Sequence, residues 1–245
     1  MNIHREIAGA GPVVLLTHGF GASSHMFAST VPAVATDHTA VTWDMRGHGR
    51  SGIEDDPAAY SVAASLRDMA TLLDEVGADR AVLLGHSLGG YLSLEYALAH
   101  PAQVAGLVLV DTGPGFRNEQ ARAAWNEMTE RYAEDLEANG LAGLPGRSAE
   151  LRSSVHQGVR GLVHTARSTL RQQDGHVIEG LPEIEAPALV VVGSLDEQFI
   201  PGSRYMAAKL PHAELVVIDG AGHAPTVTHP DDFNAALRTF LSALP

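Results

Sequence analysis

The chain has 245 residues, 45% of them apolar and 18% charged, and a formal net charge of −13. That length suits one domain with a substantial core, and the acidity argues against nucleic acid or an anionic membrane surface as a partner. Because the sequence contains no cysteine, disulfides, thiolate catalysis and cysteine-ligated zinc are excluded.

Residues 3–7 suggest an opening strand, and Ala10-Gly11-Pro12 turns the chain into a second apolar run over 13–17. Another run covers 40–43. Over 61–76, apolar side chains at Val62, Leu66, Met69, Leu72, Leu73 and Val76 follow helical spacing, closed by Gly77. A strand over 81–84 is followed by a helix over 88–100, stopped by Pro101, and then by an apolar run over 104–110. Runs that are apolar on both faces and separated by helices predict a mostly parallel sheet covered on both sides, an α/β architecture.

From Gly113 to about Pro182 the strand-like runs cease. Ala121, Ala124, Trp125, Met128, Tyr132 and Leu136 lie at helical spacing, ended by Asn139-Gly140, and a second helical pattern carries Val159, Leu162, Val163, Ala166 and Leu170. Alternation resumes with a strand at 188–192, a helix at 202–210, a strand at 214–218 and a helix at 231–244. The expected organisation is a core formed by 1–114 and 183–245, interrupted by a helical cap over 115–182. An insertion of that length is too long for an idle loop.

The chemistry concentrates at Gly85-His86-Ser87-Leu88-Gly89, a G-x-S-x-G pattern between a buried strand and a helix. Such a turn lifts the Ser87 hydroxyl clear of the sheet and aims the Leu88 N–H at the same point. Side chains at Gly85 or Gly89 would crowd the neighbouring chain. A serine hydroxyl needs a base, commonly a histidine oriented by a carboxylate. In open parallel sheets these groups gather at the carboxyl ends of strands. Asp196 and His223 follow two such ends. Asp111, at the end of the 104–110 run, is the rival acid; the Gly-x-x-Asp turn that continues to Pro201 favours Asp196. His86 adjoins the nucleophile and is expected to be structural. His18-Gly19-Phe20-Gly21 offers a second oxyanion donor, the Phe20 N–H, beside that of Leu88.

These motifs together resemble the α/β-hydrolase fold, through the elbow at 85–89 and the Ser87, Asp196, His223 order. His18-Gly19 resembles the oxyanion-loop motif, and Asp44-Met45-Arg46-Gly47-His48-Gly49-Arg50-Ser51 a D-x-R-G-x-G-x-S segment. The resemblance implies that Asp44 and Arg46 brace the oxyanion loop. It also implies that 115–182 is the cap, with Trp125, Met128 and Tyr132 lining a substrate pocket. Serine at the elbow argues against epoxide hydrolases and haloalkane dehalogenases of this fold, which carry aspartate there. The expected activity is a serine carboxylesterase acting on a small to medium ester or lactone, with water as second substrate.

Rivals sharing the same triad are carbon–carbon bond hydrolases, a menaquinone-pathway synthase-like lyase and cofactor-free haloperoxidases. A rival of another class is a ligand receptor with little turnover. The synthase would need a basic cap, and Arg117, Arg122, Arg131, Arg147, Arg152, Arg160, Arg167 and Arg171 lie in this one. No cofactor and no metal are expected, since the 13 histidines are scattered without ligand spacing. Residues 1–11 lack the basic and apolar pattern of a secretory signal, and the apolar runs fall far short of the ~18 residues that span a membrane. A cytoplasmic protein is expected.

Overall fold

The computed structural model describes residues 1–144, 148–152 and 154–244. Seven strands form its sheet: β1 (Arg5–Gly9), β2 (Val13–Thr17), β3 (Thr39–Trp43), β4 (Ala81–His86), β5 (Val104–Val110), β6 (Ala188–Gly193) and β7 (Ala213–Ile218). The order across the sheet is β1-β3-β2-β4-β5-β6-β7. All neighbours are parallel except β1 against β3. β2, β4 and β6 are buried at every residue, which explains why they show continuous apolar runs rather than alternation. β1 is an exposed edge with a polar and small composition. It therefore starts two residues later than the sequence pattern suggested.

The longer helices are α1 (Val62–Glu75), α2 (Leu88–Ala99), α3 (Glu119–Asn139), α4 (Arg160–Arg167), α5 (Ile200–Lys209) and α6 (Pro230–Ala243). Ser61 caps α1 by accepting from the Ala64 N–H at 3.1 Å, and Asn118 caps α3 from the Ala121 N–H at 3.1 Å. Against one sheet face pack Leu72 and Leu73 of α1, Leu92 and Tyr96 of α2, and Met206 of α5. Phe233, Leu237 and Leu241 of α6 pack against the other. Among the described residues no helix is long and apolar enough to cross a membrane.

The chain between β5 and β6 is helical, as its composition suggested, but in shorter pieces. Besides α3 and α4 it contains the short helices Ala149–Arg152 and His176–Gly180. The α4 pattern ends at Arg167, so Leu170 packs from the turn beyond it. Ala133 and Leu136 of α3 meet Leu162, Val163 and Ala166 of α4 in a small core of their own. The insertion also meets the body of the protein backbone to backbone. A Cβ on Gly161 would lie 2.3 Å from the Gly47 Cα, so α4 sits directly on the loop after β3.

Strand register decides where the chemistry collects. Thr17 pairs with Gly85, His86 with Val110, Val110 with Val191, and Gly193 with Ile218. The loops leaving β2, β4, β5, β6 and β7 therefore emerge at one sheet edge, carrying Phe20, Ser87, Asp111, Asp196 and His223.

Candidate active site

Ser87 stands between β4 and α2 with φ at 51° and ψ at −116°, a strained conformation for a residue with a Cβ. Its backbone is tied on both sides. The Ser87 N–H donates to the Val110 carbonyl at 2.9 Å, and Thr112 Oγ1 donates to the Ser87 carbonyl at 2.6 Å. The flanking glycines are sterically required. A Cβ on Gly85 would lie 2.2 Å from the Gly89 oxygen, and one on Gly89 would lie 2.2 Å from the Thr17 oxygen. Leu88 is the first residue of α2, so its N–H has no partner within the helix. The loop after β2 runs directly beside the serine: a Cβ on Gly19 would lie 3.1 Å from Ser87 Cβ. Phe20 follows in that loop.

His223 Nδ1–H donates to Asp196 Oδ2 at 2.7 Å. Burial pushes the Asp196 carboxyl up, but the hydrogen bond and charge of His223 outweigh it and hold the group below the ordinary range. The imidazole is also fixed from two sides that sequence reasoning missed. Phe199 stacks on it at 4.8 Å between centroids, and His86 Nε2–H donates to the His223 carbonyl at 2.6 Å. His86 thus holds the main chain of the loop that carries His223. Burial, then the neighbouring His223, lowers the His86 pKa to about 4, which keeps the ring neutral.

Asp111 lies beside Asp196, and it is Asp196 that receives the His223 Nδ1–H. Asp111 is fully buried, its backbone is left-handed with φ at 43°, and its Oδ1 accepts the Gly193 N–H at 2.9 Å. Burial, with the adjacent Asp196 carboxylate, raises its pKa to about 9, so it holds a proton at neutral pH. Asp111, Asp196 and His223 offer ligand atoms within 4.8 Å of one another. Two of them are already engaged with each other as carboxylate and imidazole N–H.

Two cavities meet at Ser87. The first, about 190 Å³, is lined by Leu88, Tyr91, Phe116, Trp125, Leu170 and Phe199, among others, with no charged side chain. The second, about 200 Å³, contains His223, Asp196, Phe20, Met128, Tyr132 and Glu150. Trp125 borders both, held by its Nε1–H donating to the Leu170 carbonyl at 2.8 Å. All three nominated cap residues therefore reach a cavity at the serine. Tyr132 also stacks on Phe20, 6.3 Å between centroids.

Five arginines of the insertion, Arg117, Arg122, Arg160, Arg167 and Arg171, are occupied elsewhere. Arg160 pairs with Asp55, Arg167 with Glu130 and Glu137, and Arg171 with Glu130. Arg122 donates to the Phe116 and Arg117 carbonyls, and Arg117 lies over the Tyr205 ring. Arg147 lies outside the described residues. Among those described, no arginine or lysine lines either cavity.

The D-x-R-G-x-G-x-S segment divides its duties differently from expectation. Asp44 accepts from the Ser24 N–H at 2.7 Å and the Arg50 N–H at 2.8 Å, and so braces the turn behind Phe20. Arg46 instead forms a two-pronged pair with Asp68, both contacts 2.8 Å, and serves α1 rather than the oxyanion loop. Beside Asp44, neutral histidines join three segments. His18 Nε2 accepts from the Met45 N–H at 2.9 Å. His156 Nδ1 accepts from the Gly49 N–H at 2.9 Å, while its Nε2–H donates to the Gly21 carbonyl at 2.9 Å. His48 lies between their rings, 5.1 Å from His18 and 5.9 Å from His156.

These bonds require unprotonated rings. Burial lowers His18 to about 4, His48 well below its ordinary value, and His156 in the same direction, as it does His86. The unfolded chain therefore binds more protons than the folded one below 6.5. The stabilisation is complete above pH 6.5 and is lost as the pH falls towards 4. At about 1.4 kcal/mol per unit, His18 and His86 each contribute on the order of 3 kcal/mol to that loss. Asp111 opposes it, because its folded carboxyl keeps a proton that the unfolded one sheds above 3.8, as does the raised, half-exposed His176. Four histidines outweigh these two. The urea midpoint should fall steeply between pH 7 and 4.5; a flat or rising midpoint would refute this account.

Comparison with known proteins agrees with the geometry. A family model described as the alpha/beta hydrolase family matches residues 13–236. RutD of Pseudomonas savastanoi pv. phaseolicola, named for carbamate hydrolysis, is 30% identical over 98% of this chain and 98% of its own. The pimeloyl-[acyl-carrier protein] methyl ester esterase of Xanthomonas campestris pv. campestris is 29% identical over 99% of this chain and 100% of its own. A thermophilic esterase from Thermogutta terrifontis superposes with a TM-score of 0.84 at 25% identity, over 98% of this chain and 93% of that one. By its strand order, its serine elbow and these matches, the chain belongs to the alpha/beta hydrolase family.

Proposed function

We propose that this protein hydrolyses carboxylic esters through an acyl-enzyme on Ser87. The observation that carries the reading is the His223–Asp196 hydrogen bond of 2.7 Å in a cavity that Ser87 also lines. His223 Nε2, the ring nitrogen not bonded to Asp196, takes the proton as Ser87 Oγ attacks the acyl carbon. The Phe20 and Leu88 N–H groups receive the tetrahedral oxyanion. His223 then protonates the departing alkoxide, and a water activated by the same imidazole attacks the acyl carbon and releases the acid. The helices between β5 and β6 act as the cap that roofs both cavities. Methyl esters and carbamates, for which two relatives are named, both present an acyl carbon bonded to a heteroatom, the target of this chemistry.

The proton bookkeeping assigns the two cavities. The leaving alcohol must reach His223, so the cavity containing His223 takes the alcohol half. The uncharged cavity beside Ser87 and Leu88 takes the acyl half. An apolar cavity of about 150 Å³ accommodates a benzene ring, so about 190 Å³ suits an acyl group of similar size. Among the described residues no arginine or lysine lines either cavity, which disfavours the multi-anionic substrate of a synthase-like lyase.

The test is steady-state hydrolysis of p-nitrophenyl esters across acyl lengths, with Ser87→Ala as control. Turnover should peak near four to six acyl carbons and vanish in the variant. Equal activity in both proteins would remove Ser87 as nucleophile. No activity in either would shift weight to the carbon–carbon hydrolase or receptor readings.

A further inference from the structure

Glu150 has no part in the chemistry just described, yet it lines the cavity that holds His223 and Ser87. It belongs to the short helix Ala149–Arg152 of the insertion and is only 4% exposed. Its Oε1 accepts the Ser148 hydroxyl at 2.6 Å, whereas its Oε2 is buried with no hydrogen-bond partner among the described residues. Its charge is close enough to act on both His86 and Asp111. A buried carboxylate oxygen without a donor is costly unless something else satisfies it, and among the described residues no arginine or lysine lines this cavity. The missing partner is a donor, and a cation meets the need best.

Resting on the ester-hydrolase reading above, we propose that Glu150 is a specificity residue. It binds a protonated amine on the alcohol half of the substrate, so that the preferred substrates are esters of amino alcohols. The placement follows from the division of the two cavities. Glu150 shares its cavity with His223, which must reach the leaving alkoxide, and is absent from the apolar cavity assigned to the acyl group. The arrangement also assigns a purpose to Ser148, whose hydroxyl occupies Oε1 and leaves Oε2 as the oxygen without a donor.

Two esters of equal shape test this. 2-(Dimethylamino)ethyl butanoate carries a protonated amine near neutral pH, and 3-methylbutyl butanoate places a carbon at the same position. Each kcat/KM is divided by that ester's own rate with hydroxide, which removes the intrinsic activation by the ammonium group. A charge-assisted hydrogen bond contributes ~1.5–3 kcal/mol, so the wild type should favour the amino ester by about 10- to 100-fold. Glu150→Gln keeps the size and the bond to Ser148 but removes the charge, and should bring the ratio close to unity. A merely structural role would change both esters together and leave the ratio where it was. Cleavage of both esters at like corrected rates by the wild type overturns the inference without any variant, and so does a preference that survives in Glu150→Gln. Failure of the wild type to cleave either ester is a different result, since it overturns the esterase reading and takes this inference with it.

Discussion

Ser87→Gly is expected to abolish turnover and stabilise the fold in the same step. Loss of a serine nucleophile lowers kcat by ~10⁴-fold or more where the triad acts as a unit. The stability gain has a separate origin. With φ at 51°, Ser87 occupies a region that costs a residue bearing a Cβ about 1–3 kcal/mol and a glycine almost nothing. Glycine's greater freedom in the unfolded chain returns about 0.5–1 kcal/mol of that. The net gain of about 1 kcal/mol should raise Tm by ~2–4 °C in a protein of this size. Ser87→Ala keeps the strain and should lose activity with little change in Tm. p-Nitrophenyl butanoate turnover and thermal unfolding of the two variants separate the effects. A Ser87→Gly protein that melts below Ser87→Ala would show that the elbow stores no strain.

The second large effect distinguishes two neighbouring acids. Asp196→Asn should cost about 10³- to 10⁴-fold in kcat, because an amide cannot hold the imidazole in the required tautomer or stabilise its charged form. Asp111→Asn should cost less than about fivefold. Burial and the Asp196 carboxylate keep Asp111 protonated with a pKa near 9, so asparagine reproduces both its size and its neutrality. Its remaining oxygen can still accept the Gly193 N–H, now seen at 2.9 Å. Equal losses from the two substitutions would mean that Asp111 shares the negative charge, and a larger loss at Asp111 would reverse the assignment. Steady-state kinetics on one ester suffices for the comparison.

The strands buried on both faces were the most sharply legible in the sequence, though the partly exposed β7 was also placed to within one residue. The run over 13–17 and that over 104–110 coincide with β2 and β5 residue for residue, because no solvent-facing side chain interrupts them. β1 was misplaced since an exposed edge leaves no such run. Ser87, Asp196 and His223 were also legible, because each sits in a glycine-rich turn directly after a strand. What escaped was everything set by convergence of distant segments. Phe199 became a stacking partner, and His86 a support for the His223 loop, only through the parallel register of β4, β5, β6 and β7. His18, His48 and His156 share no sequence spacing; the insertion brings the third to the first two. Glu150 carries no local signal either, because an unpartnered buried oxygen is a property of surroundings. Arg46 was misassigned because the motif fixes its position while Asp68, on α1, decides its role.

The bare contact between Gly161 and Gly47 also bears on how this enzyme could be redesigned. Trp125, Met128, Tyr132 and Glu150, which shape the two cavities from above, precede Gly161 in the insertion, whereas Leu170 and Gln172 follow it. The seat itself contains no side chain to repack, since any Cβ at 161 would strike the opposing backbone. Attachment is not confined to that seat, because His156, which accepts the Gly49 N–H and donates to the Gly21 carbonyl, lies between Glu150 and Gly161. Trp125, Met128 and Tyr132 are open to exchange for a different substrate, while His156 and the pair of glycines act as a fixed socket that any replacement segment must fit.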